Sequence, residues 1–305
     1  MSNKYAVIAT ILVIFFFASC KNDKSTSQEL LNNVELVDDD IANKPDLSSH
    51  VVDDIINSIP SPIELTALLK FIGADYSDKM LNPIENVHNY STNYQKAINL
   101  GVYGADLGYI NFYNKPQTAL RYIRTIKHLA EEQNVGQFFN FKTLSRLAGS
   151  SENVDSLIFI TTRSFDKMDY YLRTQNRAEV GIQILIGGWI EGLFLATQIV
   201  EEYPNKILED VISSQKYALE DIIRLMQDYK DHPGFVVIIK HLEELTEVYN
   251  SSETPTIITE ETNDSLENEI ATKPVKFSEF VELNSEQLMQ LRIKLKDIRD
   301  SIINI

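Results

Sequence analysis

Residues 99–113 read NLGVYGADLGYINFY and place three glycines inside a segment that otherwise reads as a helix. Gly101 and Gly108 are seven residues apart, and Gly104 and Gly108 are four apart, so all three lie on roughly one face of that helix. Each glycine costs up to ~1 kcal/mol relative to alanine in a helix interior. The pattern predicts a close approach to another backbone, because such packing would offset that cost.

A second glycine cluster lies in residues 180–200, which read VGIQILIGGWIEGLFLATQIV. Its glycines at positions 181, 188 and 192 repeat the spacings of seven and four. We predict that the two glycine helices cross closely at the centre of the fold. The residues assigned to this crossing are Gly101, Gly104, Gly108, Gly181, Gly188 and Gly192.

The second segment is also about as long and as apolar as a membrane span. Glu191 lies near its midpoint, however, with Gln183 and Gln198 on either side. A carboxylate at the middle of a bilayer is costly. The segment is therefore predicted to be a buried core helix.

Helix signals recur through residues 59–250, and the breaks between them carry glycine or proline. No two alternating runs are joined by a tight hairpin turn. The sequence therefore predicts an all-α fold, an irregular bundle of about eight helices. From residue 91 onward, the helices of this domain are predicted at about 91–113, 116–134, 138–148, 153–175, 177–203, 205–229 and 235–249.

The C-terminal residues 275–305 are predicted to form an amphipathic helix, preceded by an acidic linker at 251–274. Its apolar residues alternate spacings of three and four. Two interpretations remain open: the stripe docks on the helical domain, or it pairs with a protein partner or a second copy. The stripe comprises Leu288, Leu291, Leu295, Ile298, Ile302 and Ile305.

The first nineteen residues have the organisation of a signal peptide. Lys4 precedes an apolar block of about a dozen residues, too short for the roughly 20 of a membrane span. The block ends in Phe17-Ala18-Ser19-Cys20, which resembles a lipobox with phenylalanine in place of leucine. We predict that Cys20, the only cysteine, is lipidated and followed by an acidic tether through residue 58. The alternative is an ordinary signal peptide with a chance cysteine.

The charge balance restricts the classes of partner. The chain has 28 Lys and Arg against 44 Asp and Glu, a net charge of −16. An acidic protein of this kind is a poor match for DNA, RNA or anionic headgroups. We therefore expect no nucleic-acid partner, and membrane attachment through the lipid alone. The expected location is the cell envelope, at the inner or outer membrane, facing the periplasm or the cell surface.

Asp106 and Glu191 are the candidate functional residues, because each is a charge within an apolar helix and must be paired or neutralised. One interpretation is a central ligand pocket formed by these carboxylates with Tyr103, Tyr109 and Trp189. The other is structural: each carboxylate bonds a tyrosine or an arginine in the core, or points to solvent. The sequence favours the structural one.

No motif assigns a catalytic residue. The chain contains one Glu-x-x-His, at Glu85 and His88, where a dimetal bundle needs two. His-Glu-x-x-His, a Walker loop and a Gly-x-Ser-x-Gly elbow are absent. We therefore expect no metal and no cofactor, and a non-enzymatic protein is favoured.

Three segments resemble one protein family. Residues 58–76, SIPSPIELTALLKFIGADY, residues 90–109, YSTNYQKAINLGVYGADLGY, and Gly-Gly-Trp-Ile-Glu at 187–191 are similar to an uncharacterised α-helical lipoprotein family of Bacteroidota. The resemblance implies an envelope location and no activity. We expect a lipid-anchored binding or interaction module; the alternative is a helical enzyme or small-ligand-binding protein that uses Asp106 and Glu191.

Overall fold

The computed structural model describes residues 72–148, 153–251 and 282–304. The predicted signal peptide, the lipidation of Cys20, the tether and the acidic linker lie outside these residues, apart from Ser251. Within the three described ranges every regular element is helical and no strand occurs. The prediction of an all-α multi-helix bundle is confirmed.

The described chain contains eight α-helices and four short 3₁₀ helices. The predicted bounds of the first seven α-helices agree with the observed ones to within three residues. The α-helices are α1 (Asn93–Phe112), α2 (Pro116–Glu132), α3 (Phe141–Leu147), α4 (Val154–Thr174), α5 (Ala178–Glu202), α6 (Lys206–Met226), α7 (Pro233–Asn250) and α8 (Ser285–Ile303). The 3₁₀ helices are Asp78–Met80, Ile84–Asn89, Gly136–Phe138 and Gln227–Tyr229.

Local polar groups define the ends of several helices. Thr92 begins α1 in a capping box, in which its hydroxyl accepts from the Gln95 amide at 3.1 Å and the Gln95 side chain accepts from the Thr92 amide at 2.9 Å. Asparagines follow α1, α2 and α4 in the left-handed conformation, with φ of 54°, 56° and 53° at Asn114, Asn134 and Asn176. Asparagine tolerates this conformation better than most residues, so these helices end without glycine.

α1 crosses α5 at the centre of the bundle with their backbones in contact. A Cβ atom built on Gly101 would lie 1.9 Å from the carbonyl oxygen of Ile184, and one built on Gly187 would lie 1.9 Å from that of Ile98. No side chain fits in either place. The close approach that the glycine spacing predicts is therefore present, and glycine is required at both positions.

The residues that make the crossing differ from those assigned by spacing. Gly187 lies at the contact, although the spacings of seven and four do not include it. The amide nitrogen of Gly188 lies 2.7 Å from a Cβ built on Gly101. The assignment of Gly104 is wrong, because no atom of a neighbouring helix lies within 4 Å of a Cβ built there. Gly181 is also misassigned, since its Cβ would meet Asp169 of α4 rather than α1. Gly108 and Gly192 are buried in the same two helices.

α5 is the central core helix. Among the described residues it is the one helix that is long and apolar enough to cross a membrane, and 94% of its most apolar stretch is buried inside the protein. α1, α4, α6 and α8 all pack against it. The apolar character of α5 is thus accounted for by its place in the core.

The C-terminal helix α8 docks on the helical body against α5, α7 and α1. Polar contacts reinforce this position: Lys294 pairs with Glu244 of α7 at 3.4 Å, and the Gln287 side chain donates to the Ser251 hydroxyl at 3.0 Å. The apolar stripe faces the body, with Leu288 half-buried and the next four positions buried: Leu291, Leu295, Ile298 and Ile302. The stripe is therefore covered by the chain itself, as the first of the two interpretations expects. Ile305 lies outside the described residues.

Candidate functional site

Two carboxyl groups and one guanidinium meet where α1, α5 and α8 converge. Glu191 of α5 accepts two hydrogen bonds from Arg299 of α8, from Nε to Oε2 at 2.6 Å and from Nη2 to Oε1 at 2.8 Å. Asp106 of α1 lies beside Glu191, within hydrogen-bonding reach of its side chain. Both carboxyl groups are fully buried, and Arg299 is 5% exposed. We call these three residues the charge cluster.

The segment that precedes α1 covers the charge cluster. The backbone amide of Asn82 donates to Oδ2 of Asp106 at 3.0 Å, and the Met80 carbonyl accepts from Nη2 of Arg299 at 2.7 Å. The Asn82 side chain is itself fully buried and donates to the Tyr90 hydroxyl at 2.9 Å. The charge cluster therefore binds three parts of the chain together: this segment, the two crossing helices and α8.

Burial favours the protonated form of Asp106. Burial disfavours the ionised form of Asp106, and the adjacent Glu191 carboxylate repels it. Both effects raise the pKa of Asp106 well above its usual range, and the attraction of Arg299 offsets them only in part. For Arg299, burial alone would lower the pKa, but Glu191 outweighs it, and the pKa is raised. Its buried setting thus favours the protonated form of Asp106 beside the Arg299–Glu191 pair.

The tyrosines around Asp106 bond the backbone of the segment that precedes α1. The hydroxyl groups of Tyr103 and Tyr122 donate to the carbonyls of Pro83 and Asn82, both at 2.8 Å. Tyr109 accepts from the Ser77 amide at 2.9 Å. Burial raises the pKa of all three tyrosines, so they remain neutral. Their role in the described structure is to fix this segment.

Trp189 belongs to a different part of the core. Two residues along a helix correspond to a rotation of about 200°, so Trp189 and Glu191 point to opposite sides of α5. The Trp189 indole donates to Oε1 of Gln215 in α6 at 3.0 Å. The grouping of Trp189 with the carboxylates in one pocket is therefore wrong.

The other predicted pocket residues are enclosed by protein. Tyr103 and Tyr109 are both fully buried, as are the carboxyl groups of Asp106 and Glu191. Two depressions of the described surface lie elsewhere. One of ≈ 550 Å³ is lined by Glu131, Asn134, Gly136, Gln137 and Tyr171, and one of ≈ 470 Å³ by Asp155, Ile158, Phe159, Thr162 and Arg163.

The charge cluster does not have the composition of a metal site. Across the described residues, no group of three or more His, Cys, Asp and Glu side chains is placed to hold a metal ion. The positive charge beside the two carboxyl groups comes from Arg299 of the chain itself. The arrangement can hold a proton between Asp106 and Glu191, and it binds α8 to the core.

Arg299 is the central residue that sequence reasoning missed. It lies four residues after Leu295 and three before Ile302, and so on the apolar face of α8. A cation on such a face must be paired when the face is buried, and this was the available signal. Asn82 gave no comparable signal, because it bonds Asp106 through its backbone.

Comparison of the chain with protein-family models, with curated proteins and with solved structures gives no match.

Proposed function

We propose that this chain is a lipid-anchored protein of the bacterial cell envelope that acts as a non-enzymatic binding or interaction module. One observation carries the non-enzymatic part. Asp106 and Glu191, the carboxyl groups best placed for chemistry, are fully buried and contact Asn82 and Arg299. A substrate in solution has no access to them in this conformation, so their role is to hold the fold together.

The outer surface supports a binding role. Phe159 and Tyr170 of α4 are 48% and 49% exposed. They are eleven residues apart, close to three helical turns, so they lie on one face. The Arg163 guanidinium lies over the Phe159 ring at 5.5 Å. Aromatic residues and arginine contribute most to binding at protein interfaces, and exposed side chains of this kind favour binding over catalysis.

Chemical modification of carboxyl groups tests the structural role of the charge cluster. We expect a carbodiimide and an amine to label exposed carboxylates such as Glu220 in the native protein, and to leave Asp106 and Glu191 unlabelled. Both should become labelled in urea, because unfolding exposes them. The measurement is peptide mapping by mass spectrometry. Rapid labelling of either buried carboxyl group in the native protein would instead favour the alternative, a ligand-binding or catalytic pocket.

The anchor rests on Phe17-Ala18-Ser19-Cys20. Several acyl chains on one cysteine bury enough methylene groups to hold a protein stably at a membrane. We expect cells that produce the chain to attach a labelled fatty acid to it, and the labelled protein to sediment with membranes. Cys20→Ala should abolish both label and sedimentation, whereas Ser19→Ala should retain them. Equal labelling of Cys20→Ala would rule out this anchor.

A further inference from the structure

The charge cluster is neutral only when one of its carboxyl groups carries a proton. Both oxygens of Glu191 accept from Arg299, which is the one cation within the cluster. A second ionised carboxylate would leave a net negative charge in a fully buried site, and such a charge is costly. Among the described residues, the other titratable groups around Asp106 are tyrosines, and burial raises the pKa of each: Tyr76, Tyr90, Tyr103, Tyr109 and Tyr122.

The hydrogen-bond pattern favours Asp106 as the group that carries the proton. Its Oδ2 accepts from the Asn82 amide, whereas its Oδ1 receives no hydrogen bond from any donor in the described part of the chain. The neighbouring side chain within reach is that of Glu191, a carboxylate that accepts only. A proton on Oδ1 of Asp106, donated to Glu191, satisfies both groups.

The same cluster provides a large part of the buried polar attachment of α8. Arg299 contributes the bonds to Glu191 and to the Met80 carbonyl. The last turn of α8 is held by two further bonds to its carbonyls: the Asn99 side chain donates to Ile302 at 2.9 Å, and the Tyr90 hydroxyl donates to Ile303 at 3.3 Å. Undocking of α8 would remove Arg299 from Glu191 and from the Met80 carbonyl of the covering segment. Water that enters the space so opened would hydrate ionised Asp106.

We propose that the charge cluster is a proton-dependent latch for α8: the proton shared by Asp106 and Glu191 keeps α8 docked, and its loss at higher pH weakens docking. The direction of this pH dependence follows from linkage, because the docked state binds the proton more tightly than the undocked state does. The contribution of Asp106 to docking is therefore fully present below the ordinary pKa of an aspartate, about 3.9. It weakens as the pH rises from there toward the raised pKa of docked Asp106, by about tenfold per pH unit for one proton.

Hydrogen exchange of the full chain between pH 5 and 9 tests the latch, with rates corrected for intrinsic exchange. We expect protection of α8 to fall about tenfold per pH unit relative to α6 within the titration window. Asp106→Asn should make the protection of α8 independent of pH, because the amide is neutral throughout. Asp169→Asn is the matched control, since Asp169 is buried in α4 and pairs with Arg173 at 2.6 Å; α8 should keep its pH dependence there.

Protection of α8 that does not vary with pH in the wild type, or varies equally in Asp106→Asn, would overturn the latch. Infrared spectroscopy keeps the proposal testable if Asp106→Asn fails to fold. The wild type should show the C=O stretch of a protonated carboxyl group at pH 6, lost with the same midpoint as the protection of α8. Absence of that band, or two different midpoints, would also refute the proposal.

Discussion

Replacement of Arg299 with methionine is expected to lower the free energy of unfolding by about 3–5 kcal/mol, the range typical of a broken buried ion pair. Three favourable contacts disappear: the paired bonds to Glu191, the bond to the Met80 carbonyl, and the packing of the guanidinium over the Phe194 ring at 4.2 Å. The larger part of the cost is the Glu191 carboxylate left buried without a counter-ion. Urea-induced unfolding followed by circular dichroism measures the change.

Arg292→Met is the matched control on the same helix. Its ion pair with Glu201 lies at the surface, with side chains 31% and 59% exposed. Surface pairs contribute ~1 kcal/mol or less, so this variant should remain close to wild type. If Arg299→Met were no more destabilising than Arg292→Met, the buried pair would not hold the core together.

Glu191→Gln is expected to cost less than Arg299→Met, because Asp106 can replace the missing anion. With a neutral amide at position 191, Asp106 loses its proton and becomes the counter-ion of Arg299. The double variant Arg299→Met/Glu191→Gln should therefore be less destabilised than the sum of the single variants, which is the signature of direct coupling. Additivity of the two effects would mean that the two side chains act independently.

Helix positions were predictable from the sequence because they depend on local pattern. Capping residues and turn residues lie within a few positions of the helix ends that they define, as Thr92 and Gln95 do for α1. The importance of Asp106 and Glu191 was predictable for a similar reason, since a charge inside an apolar helix is visible in a short window. What they bind was not, because Arg299 is 108 residues away from Glu191 in the chain.

The glycine crossing shows where spacing alone fails. Two straight helices that cross at an angle touch near one point and then diverge, so only a few glycines on a face are in contact. The contact falls on Gly101 and Gly187, and Gly104, one turn from Gly101, is already clear of the neighbouring helix. Spacing identifies the face, whereas the crossing point depends on how the rest of the bundle packs.

Gly101→Ala is the second substitution with a large expected effect, and it should destabilise the fold by about 3 kcal/mol or more. Overpacking a core usually costs about 1–3 kcal/mol. Here the added methyl group would lie 1.9 Å from the Ile184 carbonyl oxygen and 2.7 Å from the Gly188 amide nitrogen. Both are backbone atoms of α5, so no side chain can rotate away and the two central helices must separate.

Gly104→Ala on the same helix should have the opposite sign. A Cβ built there meets no atom of a neighbouring helix within 4 Å, and alanine gains roughly 0.5–1 kcal/mol over glycine in a helix interior. Urea unfolding of both variants should therefore give midpoints on either side of the wild type, with unchanged m-values. If Gly101→Ala instead unfolded at the wild-type midpoint, α1 and α5 would be farther apart than described, and Gly187→Ala should then also be tolerated.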